Sequence, residues 1–150
     1  MQNLGIKVLF QGMNLQRLIQ GLGVTGRIAF TSIIIGSIFG MLLGIVWTSK
    51  SKIIKFLCRL YLEVFRIIPI LVWLFIMYFG VTTALNVDLS GETVAIIVFT
   101  LWGIAEMADI VRGSLESLPR HQIESGKAIG LSNLGLYRYI LIPQAVRRML

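Results

Sequence analysis

The chain has 150 residues, of which 56% are hydrophobic and 14% charged, with a mean hydropathy of +0.83 and a net charge of +7. A composition this apolar is typical of integral membrane proteins and argues against a soluble domain, and the basic residues cluster beside apolar segments rather than in a pattern that indicates nucleic-acid binding. The single cysteine, Cys58, excludes a disulfide within the chain, and with the single histidine, His121, it gives no ligand spacing that predicts a metal site.

The first 20 residues form an N-terminal segment that we keep apart from the predicted fold. Within it, the run KVLFQG at Lys7–Gly12 resembles the remnant of a protease-cleavable tag, so residues 1–12 are left out of the fold interpretation. The segment lacks the basic start, compact apolar run and small-residue cleavage site of a secretory signal peptide. We predict a membrane domain over the remaining residues, 21–150, which contain the apolar stretches described next.

Three apolar stretches predict transmembrane helices. Ile28–Trp47 has 20 residues without a charge, which matches the roughly 20 residues that a helix needs to cross the hydrocarbon of a bilayer. Ile67–Val87 is also uncharged. A third stretch, Thr93–Val111, has Glu106 and Asp109 as its only charged residues. None of the stretches alternates like a barrel strand, so the sequence predicts an all-α membrane protein.

Glycine recurs at every fourth residue of the first stretch, at Gly36, Gly40 and Gly44. Glycines four residues apart lie on one helix face and allow another backbone to approach closely. The face would serve either a contact with another subunit or helix packing within the chain, and we favour packing within the chain.

The basic residues predict the orientation of the spans. They are abundant in residues 50–66 and after Arg112, whereas the loop between the second and third stretches carries Asp88 and Glu92 and no basic residue. Cytoplasmic loops keep an excess of lysine and arginine. We therefore expect residues 50–66 and everything after Arg112 to be cytoplasmic, and the 88–92 loop and the N-terminus to lie outside. An amphipathic helix at Ile53–Phe65 is expected at the membrane interface.

Glu106 and Asp109 are ionisable residues within the third predicted span. If that span ends near Arg112, Glu106 lies roughly 9 Å inside it at about 1.5 Å per residue. An ionisable group at that depth is a candidate for a solute path. The alternative is structural: Asp109 pairs locally with Arg112, and Glu106 faces a wet funnel on the cytoplasmic side.

A polar, basic insert follows the third span. Arg120–Ile129 reads as a helix that Gly130 closes in a left-handed conformation. Ser132 can cap a second helix, Asn133–Leu141, which is expected to end before Pro143 because proline cannot continue it without a kink. A hinged helix pair of this kind fits docking into a groove of another protein, whereas its periodicity alone also permits a loop lying on the membrane surface.

The insert, residues 119–145, resembles the EAA loop of ABC importer permeases. The residues that hold the spacing of that motif are Glu124, Ser125, Gly126, Gly130, Ile140 and Pro143. Ser125 and Gly126 stand where the family has alanines, and Ile142 stands where it has leucine. Tyr61–Gly80 and Ala105–Gln122 also resemble the corresponding segments of polar amino-acid permeases, although Ile67 and Ile68 replace a frequent Gly-Thr pair.

The resemblance implies a type I ABC importer transmembrane domain (MetI-like), with three of five core helices and the cytoplasmic coupling helices present, and a C-terminus that would be incomplete. It implies a multi-pass permease subunit in the bacterial inner membrane that imports polar amino acids or close analogues. The implied partners are a cytoplasmic ABC ATPase dimer, a second permease subunit, identical or different, and an extracytoplasmic solute-binding protein. The six motif residues would couple the ATPase to the membrane helices.

The resemblance also implies that ATP and Mg²⁺ belong to the partner ATPase, and the chain itself has no G-x-x-x-x-G-K-[ST] loop. No catalytic constellation of serine and histidine, paired aspartates or metal ligands lies within the spans, so no catalytic residues and no cofactor are expected in this chain. Two other functions remain open from the residues alone. One is an ion-coupled carrier or channel, and the other is a non-transporting membrane adaptor whose basic insert binds lipid or a partner.

Overall fold

A computed structural model describes Phe10 and residues 12–149, so the possible tag remnant at residues 1–12 lies almost entirely outside the described residues. Every regular element in the described range is helical, which confirms the predicted all-α class. In chain order the elements are α1 (Asn14–Trp47), α2 (Lys52–Ile67), α3 (Ile70–Phe75), π1 (Ile76–Val81), α4 (Thr82–Leu85), α5 (Gly91–Glu116), α6 (Arg120–Ala128), α7 (Asn133–Leu136), π2 (Tyr137–Leu141) and α8 (Ile142–Met149).

The first and third predicted spans correspond to α1 and α5, both long and apolar enough to cross a membrane. Helix α1 has 34 residues and begins at Asn14, well before the predicted start at Ile28. Arg27 lies within the helix, and its guanidinium pairs with Glu92 at the start of α5, with 3.2 Å between Nε and Oε1. The apolar stretch Ile28–Trp47 therefore corresponds to the C-terminal part of a longer helix.

The second predicted span is shorter than expected and follows a sharp elbow. Residues 70–85 are helical through α3, π1 and α4, and they lie at 96° to α2, so this bent pair is a candidate for a third span. The elbow forms because a residue before proline is pushed out of the helical region. Ile68, before Pro69, has φ −85° and ψ 122°. Left-handed Asn86, with φ 52°, ends the segment.

The glycine face of α1 packs against α5 within the chain. A Cβ atom on Gly40 would lie 2.6 Å from the Cβ of Met107, and one on Gly44 would lie 2.6 Å from the Cβ of Val111. Because glycine has no side chain, the backbones of α1 and α5 can approach each other closely here. All three glycines, Gly36, Gly40 and Gly44, therefore face α5 of the same chain, which is the expectation favoured above.

Helix α2 is fastened to the spans by aromatic and polar contacts. The Tyr61 hydroxyl donates to the carbonyl of Leu101 in α5 at 2.7 Å. The ring of Phe65 stacks on Trp73 across the elbow, with 4.7 Å between centroids. Together with a small buried cluster around Cys58, these contacts hold the elbow against the middle of α5.

Candidate functional site

The turn of the insert closes as the sequence predicts. Gly130 has φ 82°, a left-handed conformation that glycine adopts without strain. Its N–H donates to the carbonyl of Lys127 at 2.9 Å, and the N–H of Leu131 donates to the carbonyl of Gly126 at 3.1 Å. This pair of bonds is the Schellman motif, which satisfies the last carbonyls of a helix. The hinge between α6 and α7 is therefore a defined turn.

The second half of the insert differs from the prediction after Leu141. Ser132 caps the helix as predicted, and its hydroxyl accepts from the N–H of Gly135 at 3.2 Å. The helix does not end before Pro143, however, but passes through π2 into α8 as far as Met149. The wider π turn ends at Leu141, two residues before Pro143, whose missing N–H would break an α-helical bonding pattern. A π turn at this point removes the need for the predicted stop.

Gly126 faces the interior of the insert rather than a surface where a partner could bind. It is buried, and a Cβ atom there would lie 2.5 Å from Leu136 Cδ1 and 2.8 Å from Ile140 Cδ1. Of the six predicted coupling residues, the structure therefore brings Gly126 and Ile140 together inside the insert. Glu124 and Ser125 are exposed on α6 instead.

The insert is joined to the ends of both long helices. A buried apolar cluster connects α5 to α7, π2 and α8, and its members are Val111, Leu115, Leu118, Leu136, Leu141 and Ala145. The hydroxyls of Thr48, after α1, and Tyr137 are 2.9 Å apart and share a hydrogen bond. Arg148 donates to the carbonyl of Ser117, after α5, at 2.6 Å. The insert therefore contacts the ends of both α1 and α5.

Three large apolar side chains of the insert point away from this cluster. Ile129 is 76% exposed, Leu134 79% and Tyr139 68%. They lie on both sides of the Gly130 turn, among the polar and basic residues on the surface of the insert. They were not predicted from the sequence, because spacing alone does not distinguish an exposed apolar residue from the buried Leu136 and Leu141. Together they form an exposed apolar surface on the insert.

Glu106 and Asp109 form a charge network with two arginines. Nε of Arg66 lies 2.8 Å from Glu106 Oε1, and its Nη2 lies 3.0 Å from Asp109 Oδ2. The predicted local pair is also present, with 2.7 Å between Arg112 Nη2 and Asp109 Oδ1, and Arg112 reaches Glu116 at 2.7 Å as well. Sequence reasoning missed Arg66, which comes from the end of α2.

The network borders a cavity of about 440 Å³ between α2 and the end of α5. The guanidinium of Arg112 lies over the ring of Trp47, 4.8 Å from its centroid, which ties the end of α1 to the same network. Because arginine stays protonated in proteins, Arg66 is a permanently charged link between the elbow and α5.

Replacing Arg66 with glutamine is expected to destabilise the chain by about 1–2 kcal/mol, because two neighbouring carboxylates lose their shared charged donor. Arg59→Gln is the matched control on the same helix. Arg59 forms an exposed ion pair with Glu63, four residues along the same helix. Such pairs contribute about 0.3–0.5 kcal/mol to stability. Unfolding of both variants in detergent, followed by circular dichroism, makes the comparison. Equal stability would show that the Arg66 link is dispensable.

Comparison with known proteins yields consistent matches. A family model described as "Binding-protein-dependent transport system inner membrane component" matches residues 27–150. A Bacillus subtilis protein described as the probable amino-acid ABC transporter permease protein YckA is 35% identical over 129 residues, covering 86% of this chain and 57% of that protein. The octopine transport system permease protein OccM of Rhizobium meliloti is 32% identical, with 89% and 58% covered.

Among solved structures, a crystal structure of an amino acid ABC transporter with histidines matches with a TM-score of 0.73 and 23% identity, covering 89% of this chain and 65% of that one. This match confirms the predicted fold class, the transmembrane domain of type I ABC importers. The chain spans a little under three fifths of the length of YckA.

Proposed function

Because the chain belongs to the family of binding-protein-dependent transport system inner membrane components, we propose that it is a permease subunit of an ATP-driven importer. Its proposed solute is a polar amino acid or a close analogue. The printed names of relatives, which include amino-acid, glutamine and octopine permeases, support that substrate class. The structural observation that carries the proposal is the insert, which is seated on the ends of α1 and α5 and exposes an apolar surface.

The insert would transmit movement between a cytoplasmic ATPase dimer and the spans. Helix-in-groove recognition relies on a few apolar anchors, and Ile129, Leu134 and Tyr139 can supply them. Glu124 and Ser125 would add polar contacts on α6. Gly126, Gly130, Ile140 and Pro143 have a different role in this proposal: they set the shape of the insert that presents those contacts.

The remaining assignments follow from this proposal. ATP hydrolysis would take place on the partner ATPase, with its own ATP and Mg²⁺. A second permease subunit and an extracytoplasmic solute-binding protein would complete the transporter, with the 88–92 loop and the N-terminus outside and the insert in the cytoplasm. Glu106 would contribute to the solute path only when its pair with Arg66 opens, because that pair neutralises its charge.

Leu134→Ser is expected to weaken binding to the ATPase subunit of the same transporter by tenfold or more, since burial of a leucine side chain contributes about 1.5–3 kcal/mol. Leu85→Ser is the matched control, because Leu85 is also exposed, at 68%, but it ends α4 and lies outside the insert. Co-purification in detergent and stimulation of ATP hydrolysis are the measurements. Equal ATPase binding by the two variants would contradict the docking role, and solute uptake that persists after ATP depletion would contradict the importer itself.

A further inference from the structure

Helix α2 carries an apolar stripe that no other described residue covers. One side of the helix is buried against α1 and α5, through Cys58 and Leu62 among others. A second side is apolar yet exposed, from 48% at Leu60 to 76% at Ile67. Its members lie on one face of the helix, and they are Ile53, Phe56, Leu57, Leu60 and, two turns further on, Ile67. A contiguous apolar surface of this kind indicates an apolar surrounding or partner.

The direction of α2 matches the boundary of a bilayer. It lies at 96° to residues 70–85, which are apolar and uncharged. With residues 70–85 crossing the bilayer, α2 would run along the membrane surface. An apolar stripe beside a charged one is the pattern of a helix in the headgroup region, with its apolar side about 5–10 Å into the boundary with the acyl chains.

The free positive charge of α2 is concentrated at its N-terminal end. Further along the charged stripe, Arg59 pairs with Glu63, and Arg66 is held by Glu106 and Asp109. By contrast, three lysines at the other end form no ion pair with any described residue, and all are exposed: Lys50, Lys52 and Lys55. The N-terminus of α2, which itself favours anions, lies at the same end. The three unpaired lysine charges thus lie beside the apolar stripe, which begins at Ile53.

We propose that the N-terminal end of α2 binds an anionic phospholipid. The headgroup phosphate contacts the ammonium groups of Lys50, Lys52 and Lys55, while the acyl chains lie against Ile53 and Phe56. A free phosphate would leave the apolar stripe uncovered, and a zwitterionic lipid would bring its own ammonium group to the lysines. Charge complementarity and the adjoining apolar stripe together favour an anionic lipid. The proposal requires the chain to lie in a bilayer but does not require it to transport.

The test compares lipid retention by two triple variants of equal charge. The first is Lys50→Gln, Lys52→Gln and Lys55→Gln, and the control is Arg120→Gln, Lys127→Gln and Arg147→Gln, three exposed positions without ion pairs among the described residues. Each chain is purified from micelles with equal phosphatidylglycerol and phosphatidylcholine, and bound lipids are counted by native mass spectrometry. The first variant should lose its phosphatidylglycerol preference by roughly fivefold or more, whereas the control should keep it. An equal loss in both would show adhesion through net charge and overturn the site.

A second measurement examines the apolar stripe directly. In vesicles of bromine-labelled phosphatidylglycerol, a Phe56→Trp variant should show a tryptophan that is quenched by the labelled acyl chains, beyond the quenching of the chain's own tryptophans. If that tryptophan is shielded, another copy of the chain or a partner protein covers the stripe, and the lipid proposal is wrong.

Discussion

A Gly44→Ala variant should be less stable than a Gly36→Ala variant, although both substitutions add one methyl group to the same face of α1. At Gly44 the new Cβ would lie 2.6 Å from Val111 Cβ and 2.8 Å from the carbonyl oxygen of Ala108. At Gly36 the nearest atoms, in Gly103 and Thr100, are 3.5 Å away, which is ordinary contact. The close contacts at Gly44 therefore force α1 and α5 apart.

The expected difference in unfolding free energy is about 1–3 kcal/mol, the usual effect of overpacking. Helix propensity does not account for it, because replacing glycine with alanine favours the helix by about 1 kcal/mol at both positions. Val111 is 1% exposed, so its side chain has little room to turn away. Unfolding titrations in mixed detergent, followed by circular dichroism, would measure both variants. If Gly44→Ala proves as stable as Gly36→Ala, the close approach of α1 and α5 is not as the structure shows it.

The consequences would extend beyond the helix pair. The end of α1 contacts the charge network through Trp47 and the insert through Thr48. A displacement of α1 would loosen both contacts, so Gly44→Ala should also weaken the coupling proposed for the insert. Gly36, which lies farther from that end of the bundle, gives no such effect.

Features fixed by a few neighbouring residues were predictable from the sequence. The left-handed turn at Gly130 and the cap at Ser132 depend on local backbone geometry, and both are present. The uncharged stretches likewise predicted the two long helices, because a bilayer requires apolar residues over a fixed length. The apolar stretch did not predict the helical residues that precede Ile28, because a helix can begin outside the apolar span.

Features that join distant residues were not predictable in the same way. Arg66 and Glu106 are 40 positions apart, and their contact depends on the elbow at Pro69. The inward direction of Gly126 depends on Leu136 and Ile140 across the hinge, so a small residue that suits a docking surface equally suits an interior contact. The π turn before Pro143 is a third case, since the sequence shows the proline but not the backbone adjustment that accommodates it.

A Gly126→Leu variant is expected to open the insert by separating α6 from α7 and π2. Even a Cβ atom at Gly126 meets the side-chain ends of Leu136 and Ile140, which an alanine can displace because those ends are flexible. A leucine has no such room, since Leu136 is itself 4% exposed within the cluster on α5. We expect α6 to separate from α7 and π2 at a cost of about 1–3 kcal/mol or more, whereas Gly126→Ala should be nearly neutral.

Limited trypsin digestion distinguishes this loss of structure from a loss of docking, because Lys127 and Arg138 lie within the insert. Gly126→Leu should speed cleavage at both sites and lower stimulation of the ATPase. Ser125→Leu makes the matched control, since it adds leucine at an exposed neighbouring position and should leave cleavage unchanged. Slow cleavage in Gly126→Leu together with lost ATPase stimulation would mean that Gly126 faces the partner, contrary to the interior contact described above. Fast cleavage in Gly126→Leu alone would show that this motif position acts by holding the insert in shape, which leaves the exposed Ile129, Leu134 and Tyr139 to make the contact.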